Sequence, residues 1–334
     1  MQNTPKNTEK LLSITNLKKY FPVGKSSIFQ KNQLYVRANE EITLDIYKGE
    51  TLGIVGESGC GKSTLGRVIL QLYEQTAGTT MFYGYTLAEI SPSYVRKTLS
   101  HAEKYVAKIH SAYAKAEALT KRCDGLGANA SFFDLQTKNL AIADYETALS
   151  HVAKILGGFV VKDTKAGAAL LMERSKREHE IVELQKSIVN IKNEIEVLEA
   201  EENPKKKAKV PAKIAALGKK ASAIEGTIAK YENEISEVSA KIDALKEKHA
   251  GDAEFAKYEA MLDDGIDLAR LKYSEMRLLR KDLQIIFQDP YSSLNPRMTI
   301  GQIIEEGLVT HNYYKHGSPK MKEYILETMR RCGL

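Results

Sequence analysis

The chain has 334 residues, 43% of them hydrophobic, with 49 Lys and Arg against 43 Asp and Glu and a net charge of +6. That is enough for roughly two domains with a buried core. No apolar run approaches the roughly 20 residues that span a bilayer, and the polar first ten residues lack an apolar signal segment, so a soluble, intracellular protein is expected. The charge is compatible with an anionic ligand or membrane surface, and equally with surface Lys on long helices.

In chain order, residues 11–15 read as a short strand, and Ile42, Leu44 and Ile46 alternate with polar residues as in a half-buried strand. Lys48-Gly49-Glu50 turns into an apolar run, 51–55, which reads as a buried strand. Next comes Gly56-Glu57-Ser58-Gly59-Cys60-Gly61-Lys62-Ser63-Thr64, which fits G-x-x-x-x-G-K-[ST] at every fixed position, and residues 64–72 read as a helix. Strand, loop and helix in that order separate a phosphate loop from a glycine-rich turn that binds nothing. Glycines let the backbone curl until successive N–H groups converge on phosphate oxygens, and the helix points its positive end at the same anion. Lys62 would reach the β- and γ-phosphates, and the Ser63 hydroxyl would ligate Mg²⁺. Cys60 reads as a small space-filler; with Cys123 and Cys332 far away it suggests neither a disulfide framework nor a zinc site. Residues 79–83, between Gly78 and Gly84, are another β-rich run.

Residues 91–270 are rich in Ala, Lys and Glu and read as mostly helical, with helices over 93–121 and 133–156. Two heptad stretches follow. Ile181, Leu184, Ile188, Ile191, Ile195 and Leu198 form the first; the second runs from Ile214 and Leu217 through Ile228, Tyr231, Ile235, Val238 and Ile242 to Leu245. Their 3, 4, 3, 4 spacing is that of a coiled-coil seam. Pro204 and Pro211 break the helix between them, which predicts an antiparallel hairpin whose first arm, 172–202, is roughly 46 Å long. Its basic tip, 205–213, reads either as a solvated turn or as a contact for anionic lipid headgroups. The seam reads as intramolecular, with a partner-binding coil as the alternative. Residues 271–334 return to mixed character, with a strand at 283–287 and helices at 300–308 and 319–331.

The run Gln284-Ile285-Ile286-Phe287-Gln288-Asp289-Pro290-Tyr291-Ser292-Ser293-Leu294-Asn295-Pro296-Arg297-Met298-Thr299 resembles the Q-loop region of ABC transporter ATPase subunits. Its Asp-Pro-Tyr-Ser-Ser-Leu-Asn-Pro portion resembles the oligopeptide/dipeptide importer branch, which includes nickel importers; the match is closest to the F-type ATPase subunit of oligopeptide permeases. The phosphate loop and the segment Asn16-Leu17-Lys18-Lys19-Tyr20-Phe21-Pro22-Val23 are similar to the same group. The resemblance implies an α/β fold, with 11–90 the N-terminal part of an ABC-type nucleotide-binding domain and 271–334 the core resumed; the helical residues 91–270 then read as an all-α insertion with an antiparallel coiled-coil hairpin. It further implies that Phe21 or Tyr20 stacks on adenine, an aromatic face suiting a purine. Gln288 would sit beside Mg²⁺ and the attacking water. Residues 289–299 would face a membrane subunit. ATP and Mg²⁺ are the implied cofactors. The implied partners are ABC transporter membrane subunits and a second ATP-binding subunit, with the protein peripheral at the cytoplasmic face and no nucleic acid expected.

Two departures from the family stand out. Lys62 and Gln288 lie 226 positions apart, a far longer connection than the family's, although an insertion at a surface turn costs little loop-closure entropy. No Leu-Ser-Gly-Gly-Gln-like signature and no strand ending in Asp-Glu follows Gln288. The chain therefore reads as the first part of a longer protein, holding half of one ATP site and hydrolysing ATP poorly alone. The alternatives are a coiled-coil ABC ATPase acting on DNA, and a truncated nucleotide-binding or interaction module.

Overall fold

The alternating patterns of the first ninety residues become one antiparallel sheet. In the computed structural model, which describes residues 9–24, 33–200, 209–289 and 293–334, β1 (Lys10–Pro22), β2 (Tyr35–Tyr47), β3 (Ala77–Phe82) and the two-residue β4 (Ile266–Asp267) lie in the order β2-β1-β3-β4. Every neighbouring pair is antiparallel. β1 is much longer than the strand expected at 11–15. Register shifts around Ile14–Leu17, with Asn16 at φ 49°, let it bend and continue to Pro22. Ile14 and Leu17 are fully buried, and so is most of β3.

Two expected strands are absent. Residues 51–55 and 283–287 form no strand and, apart from Leu283, lie exposed, with Val55 94% and Ile286 95% accessible. Apolar runs of this kind become strands only when a neighbouring strand pairs with their N–H and C=O groups. Among the described residues no strand pairs with either run. The helix after the phosphate loop, α1 (Lys62–Ile69), also stops short of Leu72, because Gln71 at φ 54° turns the chain.

The helical segment contains α2 (Leu87–Ile90), α3 (Ser93–Ser100), α4 (Ala102–Leu126), α5 (Phe132–Leu156), α6 (Thr164–Glu199), α7 (Val210–Glu247) and α8 (Ala253–Glu259). The helix expected over 93–121 is two helices broken at His101. No Pro or Gly marks that break; it lets Tyr94, Val95 and Leu99 bury in the core of the segment while α4 packs along α5. α5 begins at Ser131, whose side chain and that of Asp134 form a reciprocal capping box. Phe159, fully buried, sits edge-on to Phe255 at the centre of this core. Gly167 is required beside it, since a Cβ there would enter the Phe159 ring. That contact draws α6 into the core, so the helix starts at Thr164 instead of near Met172.

α6 and α7 run antiparallel: His249 meets Asp163 at 2.9 Å near one end, and Arg177 meets Glu234 at 2.7 Å further along, its guanidinium over the Tyr231 ring. Ile191, Val238 and Ile242 are buried on these helices, and Pro211 sits in the first turn of α7, where its missing N–H costs nothing. Of the expected basic tip, 205–213, residues 205–208 lie outside the described residues.

The helical segment is fastened to the sheet by polar groups. Lys154 pairs with Asp263 at 2.5 Å, Tyr83 donates to Asp263, and Thr147 accepts the Gly78 N–H. Glu275 accepts the backbone N–H groups of Ser93 and Lys272, so the segment enters and leaves at one place. Beneath lies a buried cluster. Arg270 donates to the His151 carbonyl and Thr98 and lies over the Tyr94 ring, while the Tyr94 hydroxyl accepts the Asp267 N–H. His151 Nε2 and Asp267 Oδ2 face each other at 3.3 Å without a well-formed hydrogen bond. Burial keeps His151 neutral, pushed down to about 3, with Arg270 and Lys154 adding to the effect; burial pushes the Asp267 carboxyl up to about 6.

The chain divides into two units at Glu275–Met276, within α9 (Tyr273–Leu279). In the second unit, α10 (Ile300–Thr310) is opened by a capping box of Thr299 and Gln302, and α11 (Pro319–Arg331) by Ser318. Met321 and Ile325 are buried there. No helix among the described residues is long and apolar enough to cross a membrane.

Candidate functional site

The phosphate-loop sequence forms a tight turn followed directly by α1. Residues 51–60 are exposed, and the turn depends on left-handed glycines: Gly59 at φ 79° and Gly61 at φ 97°. Gly61 is doubly constrained, because a Cβ there would also strike the Ala38 carbonyl of β2. It occupies the N-cap of α1 and brings no side chain, so no side chain caps the first-turn N–H groups. α1 is anchored from its other face by buried Leu65, Val68 and Ile69.

Lys62 folds back across the loop. Its ammonium donates to the carbonyls of Gly56 at 2.7 Å and Glu57 at 2.6 Å and lies 3.6 Å from Cys60 Sγ. The Cys60 N–H donates to the Glu57 carbonyl, which closes the turn through Ser58 and Gly59. Ser63 is exposed on the first turn of α1, and Thr64 is partly covered. A long-stemmed cation, an uncapped helix start and an open turn form a concave donor surface, the chemistry an anion with several oxygens needs.

The two aromatic candidates have different surroundings. Tyr20 is buried, and its hydroxyl donates to the Glu40 carboxylate at 2.6 Å. Burial and that carboxylate push the phenol up to about 12. Lys18 bridges Glu40 and Glu41 at 3.0 and 2.9 Å, and the Arg37 guanidinium lies over the Tyr20 ring. Burial alone would raise the Glu40 carboxyl, but Tyr20 and Lys18 more than offset it and hold it low. Phe21 is only partly covered, edge-on to Tyr73 with Lys19 over its ring. Tyr73 lies beyond the C-terminal end of α1, so Phe21 sits at the far end of that helix from the loop.

Gln288 is exposed, outside regular structure, and belongs to the second unit; of the segment after it, residues 290–292 lie outside the described residues. Among the described residues no group of three or more His, Cys, Asp or Glu could hold a metal ion. Asn39, which the sequence did not single out, is buried against the loop and donates through Nδ2 to the Gly61 carbonyl at 3.3 Å. A polar residue among the alternating positions of β2 was the only signal for it.

The family model for ABC transporters matches residues 39–334. The oligopeptide transport ATP-binding protein AppF of Bacillus subtilis (strain 168) is 44% identical over 96 residues, 29% of this chain and 29% of its own length. The oligopeptide transport ATP-binding protein OppF of the same organism is 52% identical over 77 residues, 23% of each. The dipeptide transport ATP-binding protein DppF of Haemophilus influenzae is 43% identical over 89 residues, 27% of each. These alignments span under a third of each relative. No solved structure matches.

Proposed function

This chain belongs to the ABC transporter family, and on that premise we propose that it is part of an ATP-binding subunit that energises import of oligopeptides or dipeptides. The observation that carries the reading is the phosphate loop, with the Lys62 ammonium held on the Gly56 and Glu57 carbonyls beside the uncapped start of α1. The same carbonyls can release Lys62 to β- and γ-phosphate oxygens, and the first-turn N–H groups face the same anion. Gly56, Glu57, Ser58, Gly59, Cys60 and Gly61 would cradle the phosphates, with Ser63 and Thr64 at the start of α1. The similar proteins are oligopeptide and dipeptide transport ATP-binding proteins, which favours a role in transport over action on DNA.

Mg²⁺ takes oxygen ligands and keeps several waters and phosphate oxygens; the Ser63 hydroxyl fits that donor set, and Gln288 carries an amide oxygen of the same class. Bound there, the ion would neutralise charge on the phosphates. Phe21 is the better adenine platform of the two candidates, since the Tyr20 hydroxyl is committed to Glu40. Lys62 carries the electrostatic part of the chemistry in this reading, and Gln288 reports the γ-phosphate. Residues 91–270 are taken as an insertion into the ATPase core bearing a coiled-coil arm, with 11–90 and 271–334 as the two parts of that core. Membrane subunits and a second ATP-binding subunit would be partners at the cytoplasmic face.

Lys62→Ala in the intact protein tests this. Equilibrium binding of Mg·ATP should be lost while the helical content by circular dichroism stays unchanged; unaltered ATP affinity would sink the assignment of the loop.

A further inference from the structure

We infer that Asn39 is a positioning residue for the phosphate loop, holding the Gly61–Lys62 peptide so that the Lys62 N–H faces the bound phosphates. The inference rests on the nucleotide-binding reading above. It starts from an anomaly. Asn39 is 7% exposed, yet its Oδ1 is buried and has no hydrogen-bond partner. An unsatisfied buried acceptor works against stability, and a native structure that retains one calls for a reason. At a position with polar and apolar neighbours on a strand, an apolar side chain of the same size would remove that penalty.

The amide's other end supplies the reason. Nδ2 must face the loop, because the group it meets there is an acceptor, the Gly61 carbonyl at 3.3 Å. The same carbonyl accepts the Leu65 N–H at 2.9 Å, the first backbone bond of α1. Two donors therefore fix its direction. In a planar trans peptide the C=O and the following N–H point in opposite directions. Pinning the Gly61 carbonyl toward Asn39 and Leu65 therefore aims the Lys62 N–H away from β2 and into the open side of the turn. Gly61 alone would not hold that plane, since glycine at φ 97° is the least restrained residue available. The Ala38 carbonyl blocks any Cβ at position 61, so the restraint cannot be built into the loop by changing the residue. It has to come from a neighbour, and Asn39 is in place. The orphaned Oδ1 follows from that geometry: once Nδ2 is committed to Gly61, the carbonyl end of the amide turns into the protein.

The role separates cleanly from ordinary packing, because the two predict opposite signs. Asn39→Leu keeps the volume, removes the unsatisfied acceptor and frees the Gly61 carbonyl from one of its donors. In the intact protein it should leave the melting temperature without nucleotide unchanged or higher. It should also weaken Mg·ATP and inorganic pyrophosphate binding roughly tenfold, the order expected for losing one fixed hydrogen bond at a charged ligand. Asn39→Asp removes the donor and places a carboxylate beside the carbonyl, and should weaken both ligands further. Asn39→Ala stands in if the Leu variant does not fold. A lower melting temperature with unchanged affinity for both ligands would overturn the inference and leave Asn39 a structural residue. Wild-type protein and Lys62→Ala, measured alongside, keep the two ideas apart. If the wild type binds ATP and Lys62→Ala does not, the loop assignment stands and the affinities of the Asn39 variants decide the role of Asn39 alone. If the wild type binds neither ligand, the nucleotide reading falls and this one with it.

Discussion

The phosphate loop and the seam between the helical segment and the sheet are built on opposite principles. Residues 51–60 are exposed and held mainly by glycine conformation, one carbonyl-bound lysine and an edge strand. The seam packs a buried aspartate and tyrosine against a half-buried arginine and histidine under a layer of ion pairs and hydrogen bonds. The loop carries the recognisable chemistry and little packing; the seam has dense packing and no recognised motif. Stability and binding should therefore respond to different residues in this chain.

The sharpest separation is expected from the core. Phe159→Ala removes a fully buried ring from its contacts with Phe255 and Gly167 and should cost about 3–5 kcal/mol in a urea titration, with ATP affinity of the surviving folded fraction unchanged. If affinity fell in step, loop and core would form one cooperative unit. Gly61→Ala should do the reverse. A side chain at φ 97° against the Ala38 carbonyl strains the loop by about 1–3 kcal/mol, so ATP binding should collapse in a fluorescence titration while the main melting transition barely moves.

Smaller, and specific to the seam, is a pH effect whose sign differs between two variants. Asp267 is raised from 3.8 to about 6 on folding. Its contribution is thus complete below 3.8 and lost as pH rises through 6. His151 is lowered from 6.5 to about 3, so its contribution is present above 6.5 and lost as pH falls toward 3. Between about pH 4 and 6 the two slopes oppose each other in the wild type. With His151→Gln, melting temperature should rise on acidification through that window; with Asp267→Asn it should fall, each slope approaching about 1.4 kcal/mol per pH unit. Parallel slopes in the two variants would mean that the pair does not titrate this way. The least effect is expected on the outer α6 helix, where Val197 is 72% exposed: Val197→Ser should stay within about 0.5 kcal/mol by chemical denaturation.

What the residues state by themselves follows the same division. The ends of α5 and the existence of two long helices on either side of the Pro204–Pro211 stretch are encoded locally, through a capping box and apolar periodicity, and the helix after the phosphate-loop sequence starts where the glycine spacing places it. Residues 51–55 and 283–287 read as strands and are not, because apolar β-branched runs express a preference, whereas a strand needs neighbours to pair with. The break at His101 and the early start of α6 are hidden for a related reason: each is set by what it packs against, Tyr94 and Leu99 in one case and Phe159 against Gly167 in the other. Asn39 is invisible in the sequence because its role depends on a carbonyl 22 positions away. The family resemblance, by contrast, is carried by short contiguous runs and needs no tertiary information.

The bond from the Ser93 N–H to Glu275 has a consequence for how such a molecule arises and can be altered. Both ends of a very long excursion meet at a single carboxylate, so the helical segment is attached to the sheet as a hand is to a wrist. A graft of that kind leaves the order of β2, β1 and β3 untouched and carries the short β4 with it. By the same geometry, a few flexible residues in place of the excursion would bridge the gap, making this the natural point at which to remove the helices, exchange them or add a reporter.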